Sequence, residues 1–170
     1  EFEMIGGTHD LLHVPILQQI VHRNFTKIGG FKYNNQELEF AKKIAETLEK
    51  PLDMKYVHKV APYDTNPEGI GGSTDVGDVS YTVPTAGLRG ATWVPGTPAH
   101  SWQAVAAGGT SIGLKGMMQA AKAITLSGIE LLETSGLINK IKKEFNEIRG
   151  ENFKYIPLLG DRKPALDYRN

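Results

Sequence analysis

Thr110-Ser-Ile-Gly-Leu-Lys-Gly-Met-Met-Gln-Ala-Ala-Lys-Ala-Ile-Thr-Leu-Ser-Gly-Ile-Glu-Leu-Leu-Glu133 is the longest apolar pattern in the sequence. Its apolar residues recur at helical spacing, and its alanine-rich middle favours a buried helix packed closely against a sheet. The pattern ends near Gly136, a residue suited to a helix end. We therefore predict a long buried helix over this stretch.

Three further segments have apolar residues at helical spacing. Pro15 suits the first turn of a helix and Gly29 its end. Asn34 followed by Glu37 resembles a capping box, in which each residue binds the backbone of the other. The spacing predicts helices over 15–28, 35–49 and the run from Leu137 to Gly150.

Two short runs, 78–83 and 88–94, are rich in β-branched and aromatic residues, as strands are. Polar and apolar residues alternate over 1–5, which predicts a third strand or its end. Helices that flank a few strands indicate an α/β fold. The small number of strands suggests that part of the sheet lies outside this sequence.

Two loops hinged by glycine carry the candidate chemistry. The first is Gly71-Gly-Ser-Thr-Asp-Val-Gly-Asp78, and the second is Gly96-Thr-Pro-Ala-His100. The long connection over 50–74 leads into the first loop, and connections of that length are usually functional or poorly ordered. Acidic side chains and a histidine on such loops are typical of a metal-dependent hydrolase.

His100 is the candidate metal ligand. Neutral imidazole is the commonest protein ligand of zinc, and a loop that follows a strand can aim it into a pocket. Trp102 lies close enough to His100 in sequence to line such a site. The alternative is that His100 caps the following turn, and because a catalytic zinc normally takes three protein ligands, a lone histidine leaves both roles open.

Asp75 and Asp78 lie in a glycine-rich turn whose backbone N–H groups are free to bind a carboxylate or a phosphate. An aspartate there could also orient a metal-bound histidine through its second ring nitrogen. Both residues could instead form Asx turns with their own backbone. The sequence leaves the role of Asp75 open and favours a structural role for Asp78.

The other four histidines are weaker candidates. His9 and His13 are four residues apart, which makes a ligand pair only on a helix, and Pro15 argues against one there. His22 lies within a predicted helix, and His58 lies in the long connection without an acidic neighbour in sequence. We expect none of the four to be catalytic.

The composition excludes several classes of protein. The 170 residues fit a single domain, and 19 basic against 19 acidic residues give no net charge, so neither nucleic acid nor an anionic membrane is an expected partner. The apolar stretches are interrupted well before the ~20 residues that span a bilayer. The absence of cysteine excludes a disulfide framework and is compatible with a cytoplasmic location.

Three motifs together resemble one family. Gly72-Ser-Thr-Asp-Val-Gly-Asp-Val-Ser80, Gly96-Thr-Pro-Ala-His-Ser-Trp-Gln103 and Thr110-Ser-Ile-Gly-Leu-Lys-Gly-Met-Met-Gln-Ala-Ala-Lys122 are similar to the C-terminal part of the dinuclear-metal aminoacylase and carboxypeptidase family of amidohydrolases. The first motif departs from the family's common Ser-Glu-Asp-Phe, which favours its aminobenzoyl-glutamate subgroup. The resemblance implies that residues 1–8 end a lid domain and that residues 9–170 form the C-terminal part of the catalytic domain.

The resemblance implies a three-layer α/β/α sandwich, two divalent metal ions (zinc or manganese) and a lid domain through which two copies dimerise. It implies hydrolysis of an amide bond to an amino acid, in aminobenzoyl-glutamate, an N-acyl amino acid or a dipeptide. His100 matches a metal ligand of the family, and Asp78 is assigned to hold a metal ligand in place. The substrate carboxylate is expected at Gly72, Ser73, Thr74 and Asp75.

The family's remaining motifs have no counterpart in this sequence. The chain contains neither a cysteine nor a Glu-Glu pair, which in the family supply metal ligands and the general base. We therefore expect a C-terminal fragment of a longer amidohydrolase that is inactive alone. The alternative is a non-catalytic α/β module that binds a partner or an acidic ligand through its glycine loop.

Overall fold

The computed structural model describes residues 2, 4, 6–65, 74–161, 163 and 166. These residues contain a 3₁₀ helix, Met54–His58, and six α-helices: α1 (Pro15–Ile28), α2 (Asn35–Ala45), α3 (Val76–Ser80), α4 (Trp102–Gly108), α5 (Ser111–Glu133) and α6 (Leu137–Arg149). The four long helices are those that the apolar spacing predicts. None of the helices in these ranges is long and apolar enough to cross a membrane.

The local signals at the helix ends are confirmed. Pro15 occupies the first turn of α1, and Gly29 ends the helix with φ 75°. The capping box of α2 is present, since Glu37 N donates to Asn34 Oδ1 at 2.9 Å and Asn34 N donates to Glu37 Oε2 at 2.7 Å. Helix α2 ends at Ala45, four residues before the predicted end, and continues as tight turns.

The predicted α/β sandwich is wrong for the described part of the chain, which forms helices and irregular segments and contains no β-strand. Residues 78–80 belong to α3, and residues 88–94 are irregular. Phe2 and Met4 are irregular and exposed, while Glu1, Glu3 and Ile5 of the third predicted strand lie outside the described residues.

The strand-like runs find other partners for their backbone. A strand is stable only when a neighbouring strand pairs with its N–H and C=O groups. Here the Thr82 hydroxyl donates to the Val79 carbonyl at 2.8 Å, and Arg149 Nη1 donates to the Tyr81 carbonyl at 3.2 Å. Side chains and a short helix thus satisfy groups that a sheet would otherwise need to pair.

Two apolar cores lie toward opposite ends of α5. α1 packs along α5, while α4 and α6 contact it as well. The first core joins α2, the 3₁₀ helix, α4 and the start of α5, with the buried residues Tyr33, Ala41, Ile44, Val57, Val94, Ala107 and Ile112. The second core joins α1 and α6 near the end of α5, with the buried residues Val14, Ile20, Ile141 and Phe145.

A buried carboxylate ties α2 to the start of α5. Glu37 is only 4% exposed, and it accepts hydrogen bonds from Ser111 Oγ and Lys115 Nζ, each at 2.6 Å. Burial, the largest influence, raises the pKa of Glu37, but the hydrogen bonds from Lys115, Ser111 and the Asn34 backbone together bring it below its usual value. The carboxylate is therefore charged and fully partnered.

The two faces of α5 differ in what they contact. On the inner face, a Cβ added to Gly116 would lie 2.5 Å from the Ala91 carbonyl oxygen, so the missing side chain lets the irregular segment pack directly on the helix. The outer face leaves large apolar side chains exposed, at Leu114, Met117, Met118, Ile124 and Leu132. Helix α5 is thus apolar on its outer face as well as its inner one.

Substitutions at two glycines of α5 test this packing, because they should change the free energy of unfolding in opposite directions. We expect Gly116→Ala to lower the free energy of unfolding by about 2 kcal/mol, because the added methyl group meets backbone atoms that cannot move independently. Gly128 has open space around its Cβ position, so Gly128→Ala should raise the same quantity by up to about 1 kcal/mol through helix propensity. Urea denaturation of both variants measures the difference, and a shift in the same direction for both would refute this packing.

Candidate functional site

His100 lies on an exposed loop immediately before α4. Its φ of 58° is the one positive value among the non-glycine residues that the structure describes. A left-handed backbone costs a residue with a side chain about 1–2 kcal/mol. The surrounding loop therefore holds His100 in a conformation that the residue would not adopt alone.

Three contacts clamp this loop. Gly96 has φ 91° and lies so close to residues 50–52 that a Cβ would meet the Lys50 carbonyl oxygen at 2.6 Å. Thr97 N donates to the Val94 carbonyl at 3.1 Å. The Ser101 hydroxyl donates to the Pro98 carbonyl at 2.7 Å and accepts from Ala104 N at 3.2 Å, so that Ser101 caps α4.

The imidazole of His100 has its ring nitrogens available. Within the described ranges, His100 makes no hydrogen bond or ion pair, and Ser101 takes the capping role that the sequence left open for His100. The ring lines a shallow cleft of about 400 Å³ together with Trp93, Ser101, Trp102, Ala104 and Val105. A single histidine beside two indole rings can exchange a proton or supply one metal ligand.

The described residues do not fit a metal centre by themselves. No group of three or more His, Cys, Asp or Glu side chains in these ranges is close enough together to hold a metal ion. His100 is the one imidazole or carboxylate among the residues that line its cleft. Because a zinc site normally takes three or four protein ligands, the ligand role of His100 stays a prediction.

The predicted carboxylate-binding loop is described only at its end. Gly72 and Ser73 lie outside the described residues, and Thr74 and Asp75 precede α3. Thr74 Oγ1 accepts from Val76 N at 3.3 Å, whereas the Asp75 side chain is exposed and makes no capping hydrogen bond. Neither residue lines the cleft at His100, and their role in substrate binding stays a prediction.

Asp78 contacts a histidine, but that histidine is His9. His9 Nδ1 donates to Asp78 Oδ1 at 2.8 Å, and the Tyr155 hydroxyl donates to the same oxygen at 2.8 Å. The His9 ring also lies against the rings of Tyr81 and Tyr155, with centroid distances of 5.2 and 5.5 Å. Asp78 therefore fixes the Nδ1 side of His9, and its support of a metal ligand stays a prediction.

Close packing holds the segment that carries His9. A Cβ added to Gly77 would lie 1.8 Å from the His9 carbonyl oxygen, and Leu12 N donates to the Ser80 hydroxyl at 2.8 Å. The hydrogen bond from His9, followed by that from Tyr155, holds the pKa of Asp78 below its usual value. The hydrogen bond to Asp78 in turn raises the pKa of Tyr155.

Comparison with known proteins gives one curated relative. This relative, a subunit of the p-aminobenzoyl-glutamate hydrolase from Escherichia coli (strain K12), is 30% identical over 173 residues, which cover 88% of this chain and 36% of that protein. The chain therefore spans about a third of the length of the relative that it matches. No family model and no solved structure matches the sequence.

The contact between Asp78 and His9 predicts a pH dependence of stability. Because the folded-state pKa of Asp78 is lowered, its contribution is fully present above the unfolded pKa of about 3.9 and is lost as the pH falls through the folded value. We expect wild type to be more stable than Asp78→Asn above about pH 4, and this gap in stability between the two proteins should close at lower pH. Thermal unfolding from pH 7 to pH 2 measures the gap, and Asp75→Asn is the control. A stability difference that does not change with pH would refute the contribution of the Asp78 carboxylate through this contact.

The backbone of His100 predicts a gain in stability on substitution by glycine. Relief of the left-handed conformation should exceed the entropic cost of glycine, so His100→Gly should raise the free energy of unfolding by about 0.5 kcal/mol. The same change at His58, on the 3₁₀ helix, should lower it, since that residue has no positive φ to relieve. Denaturant titration of the two variants distinguishes these effects, and a loss at both positions would show that His100 is not strained.

Proposed function

Because the chain is related over 88% of its length to the amidohydrolase family of p-aminobenzoyl-glutamate hydrolase, we propose that it is part of a hydrolase that cleaves an amide bond to an amino acid. The substrate is aminobenzoyl-glutamate, another N-acyl amino acid or a dipeptide. Since the chain spans about a third of the relative, the proposed activity belongs to a larger protein that contains this sequence.

The proposal rests on the position of the His100 side chain, which is held at a cleft without a partner among the described residues. Its imidazole lacks a partner among the described residues and stands at a cleft, on a loop clamped by Gly96, Thr97 and Ser101. Functional side chains gain from such rigid support, because a ligand fixed in advance loses little entropy on binding. A strained backbone at a non-glycine residue is also more frequent at functional sites than elsewhere.

In this proposal His100 supplies one ligand of a centre with two divalent metal ions, zinc or manganese. The remaining ligands and the general base come from outside the described residues, since these do not fit a metal centre alone. Gly72, Ser73, Thr74 and Asp75 receive the substrate carboxylate. Support for that assignment comes from the exposed Thr74 and Asp75, which leave the approach to this loop open.

Further protein is expected against this chain. The relative is one subunit of its hydrolase, and we propose that the working enzyme dimerises through a lid domain and adds the rest of the catalytic domain to this part. The exposed apolar face of α5 supports this arrangement, because monomeric proteins rarely leave large contiguous apolar patches in water.

A non-catalytic binding module is the second candidate. It is favoured by the isolation of His100 from other ligand side chains in the described ranges. The two candidates differ in one respect that can be measured, since only the hydrolase requires His100 for metal binding and turnover.

The natural protein that contains this sequence tests the proposal. We expect His100→Ala to lose bound zinc or manganese and to slow the hydrolysis of p-aminobenzoyl-glutamate or of N-acyl amino acids about 100-fold or more, since loss of groups that only support a ligand already costs 10–100-fold. His58→Ala, which removes another exposed histidine, is the matched control. Metal analysis and an amide hydrolysis assay provide the two measurements.

Three results would contradict the proposal. Unchanged metal content and activity in His100→Ala would remove His100 from the site. Chelator-sensitive hydrolysis by the 170-residue chain alone would show that the site is complete without further protein. Absence of hydrolysis by the natural protein across the panel of amides would favour the binding module.

A further inference from the structure

A second cavity lies beside α1, between residues 60–65 and 87–89. Its volume is about 600 Å³, within the range of sites that bind small organic molecules. Val21, Phe25 and Leu88 contribute apolar walls, and Arg89 contributes a cation. The cavity shares no lining residue with the cleft at His100.

Side-chain hydrogen bonds to the backbone fix both walls to α1. Gln18 Nε2 donates to the Gly87 carbonyl at 2.8 Å, and Gln18 Oε1 accepts from Gly87 N at 3.3 Å. His22 Nε2 donates to the Ala61 carbonyl at 2.9 Å, and its ring lies 5.4 Å from the ring of Tyr63. The cavity is thus formed before any ligand enters, which lowers the entropic cost of binding.

Arg89 is the cation of this cavity that is free to bind a ligand. In the part of the chain that the structure describes, its guanidinium makes neither an ion pair nor a hydrogen bond, whereas Asp64 in the lining already has an interaction of its own. The planar fork of a guanidinium matches the two oxygens of a carboxylate. The apolar walls favour a carboxylate attached to an apolar or aromatic body over a bare inorganic anion.

We propose that this cavity binds an organic carboxylate, with the carboxylate on Arg89 and an apolar or aromatic body against Val21, Phe25 and Leu88. The proposal stands independently of the hydrolase function, because it uses no residue of the loops at 72–78 and 96–101. It assigns to Arg89 a ligand that the sequence motifs do not indicate.

Three probes test the charge requirement. Isothermal titration should detect binding of 3-phenylpropanoate, which has no amide bond to an amino acid, while the neutral 3-phenylpropanamide should bind about tenfold more weakly or worse, because a charge-assisted hydrogen bond is lost. Inorganic phosphate should compete poorly, since it lacks the apolar body. Equal binding of acid and amide would overturn the proposal, as would equal binding of phosphate.

Variants at Arg89 test the residue itself. Arg89→Met should weaken the binding of 3-phenylpropanoate about tenfold or more. Arg89→Lys keeps the charge but not the planar fork, so its affinity should lie between those of Arg89→Met and wild type. Lys122→Gln removes a positive charge from an exposed position that does not line the cavity. This variant should bind the carboxylate probe with wild-type affinity. Because Arg89 is exposed and unpaired among the described residues, its variants should keep the wild-type unfolding midpoint.

A second change tests the apolar half of the cavity without touching the cation. Leu88→Trp fills the space and should weaken the binding of 3-phenylpropanoate while Arg89 remains in place. Unchanged affinity in Arg89→Met, or wild-type affinity weaker than about 1 mM, would refute the site. Loss of binding in both Arg89→Met and Leu88→Trp, with retention in Lys122→Gln, would establish it.

Discussion

The buried carboxylate of Glu37 sets the geometry around which the rest of this chain is arranged. A charge removed from water is stable only when hydrogen bonds and opposite charge replace its hydration. Glu37 meets that requirement through Asn34, Ser111 and Lys115, which belong to two different helices. Burial, followed by the charge of Glu37, raises the pKa of Tyr33 to about 12. The start of α5 is fixed in consequence, and Thr110, just before it, binds the Ala107 carbonyl at the end of α4.

The sequence predicted what depends on neighbours along the chain and failed where distant partners decide. The ends of α1 and the capping box of α2 follow from Pro15, Gly29, Asn34 and Glu37, because a helix satisfies its backbone locally. The runs at 78–83 and 88–94 have strand composition, but composition cannot supply a neighbouring strand. In the described residues their backbone binds the side chains of Thr82 and Arg149 or packs on Gly116 instead.

The candidate site shows the same difference between local signals, which the sequence contains, and contacts between distant residues, which it does not. The glycines around His100 predict a loop there, whereas its close contacts and its left-handed backbone are visible only in the structure. The contacts of Asp78 with His9 and Tyr155 join residues 69 and 77 positions apart, and no periodicity or short motif connects them. No sequence pattern pointed to Arg89 either, because a cavity forms where distant segments pack and does not depend on the spacing of residues along the chain. Sequence therefore locates loops, whereas folding decides which side chains meet.

The positions of the tryptophans give this protein a built-in optical reporter. The chain contains two tryptophans, and both line the cleft beside His100, with 38% and 61% of their surface exposed. Indole emission depends on the polarity of its surroundings and on nearby groups that accept energy or electrons. Fluorescence excited selectively in the tryptophans, and not in the six tyrosines, therefore arises at the cleft and not in either apolar core. Occupation of the cleft would be visible without any attached dye.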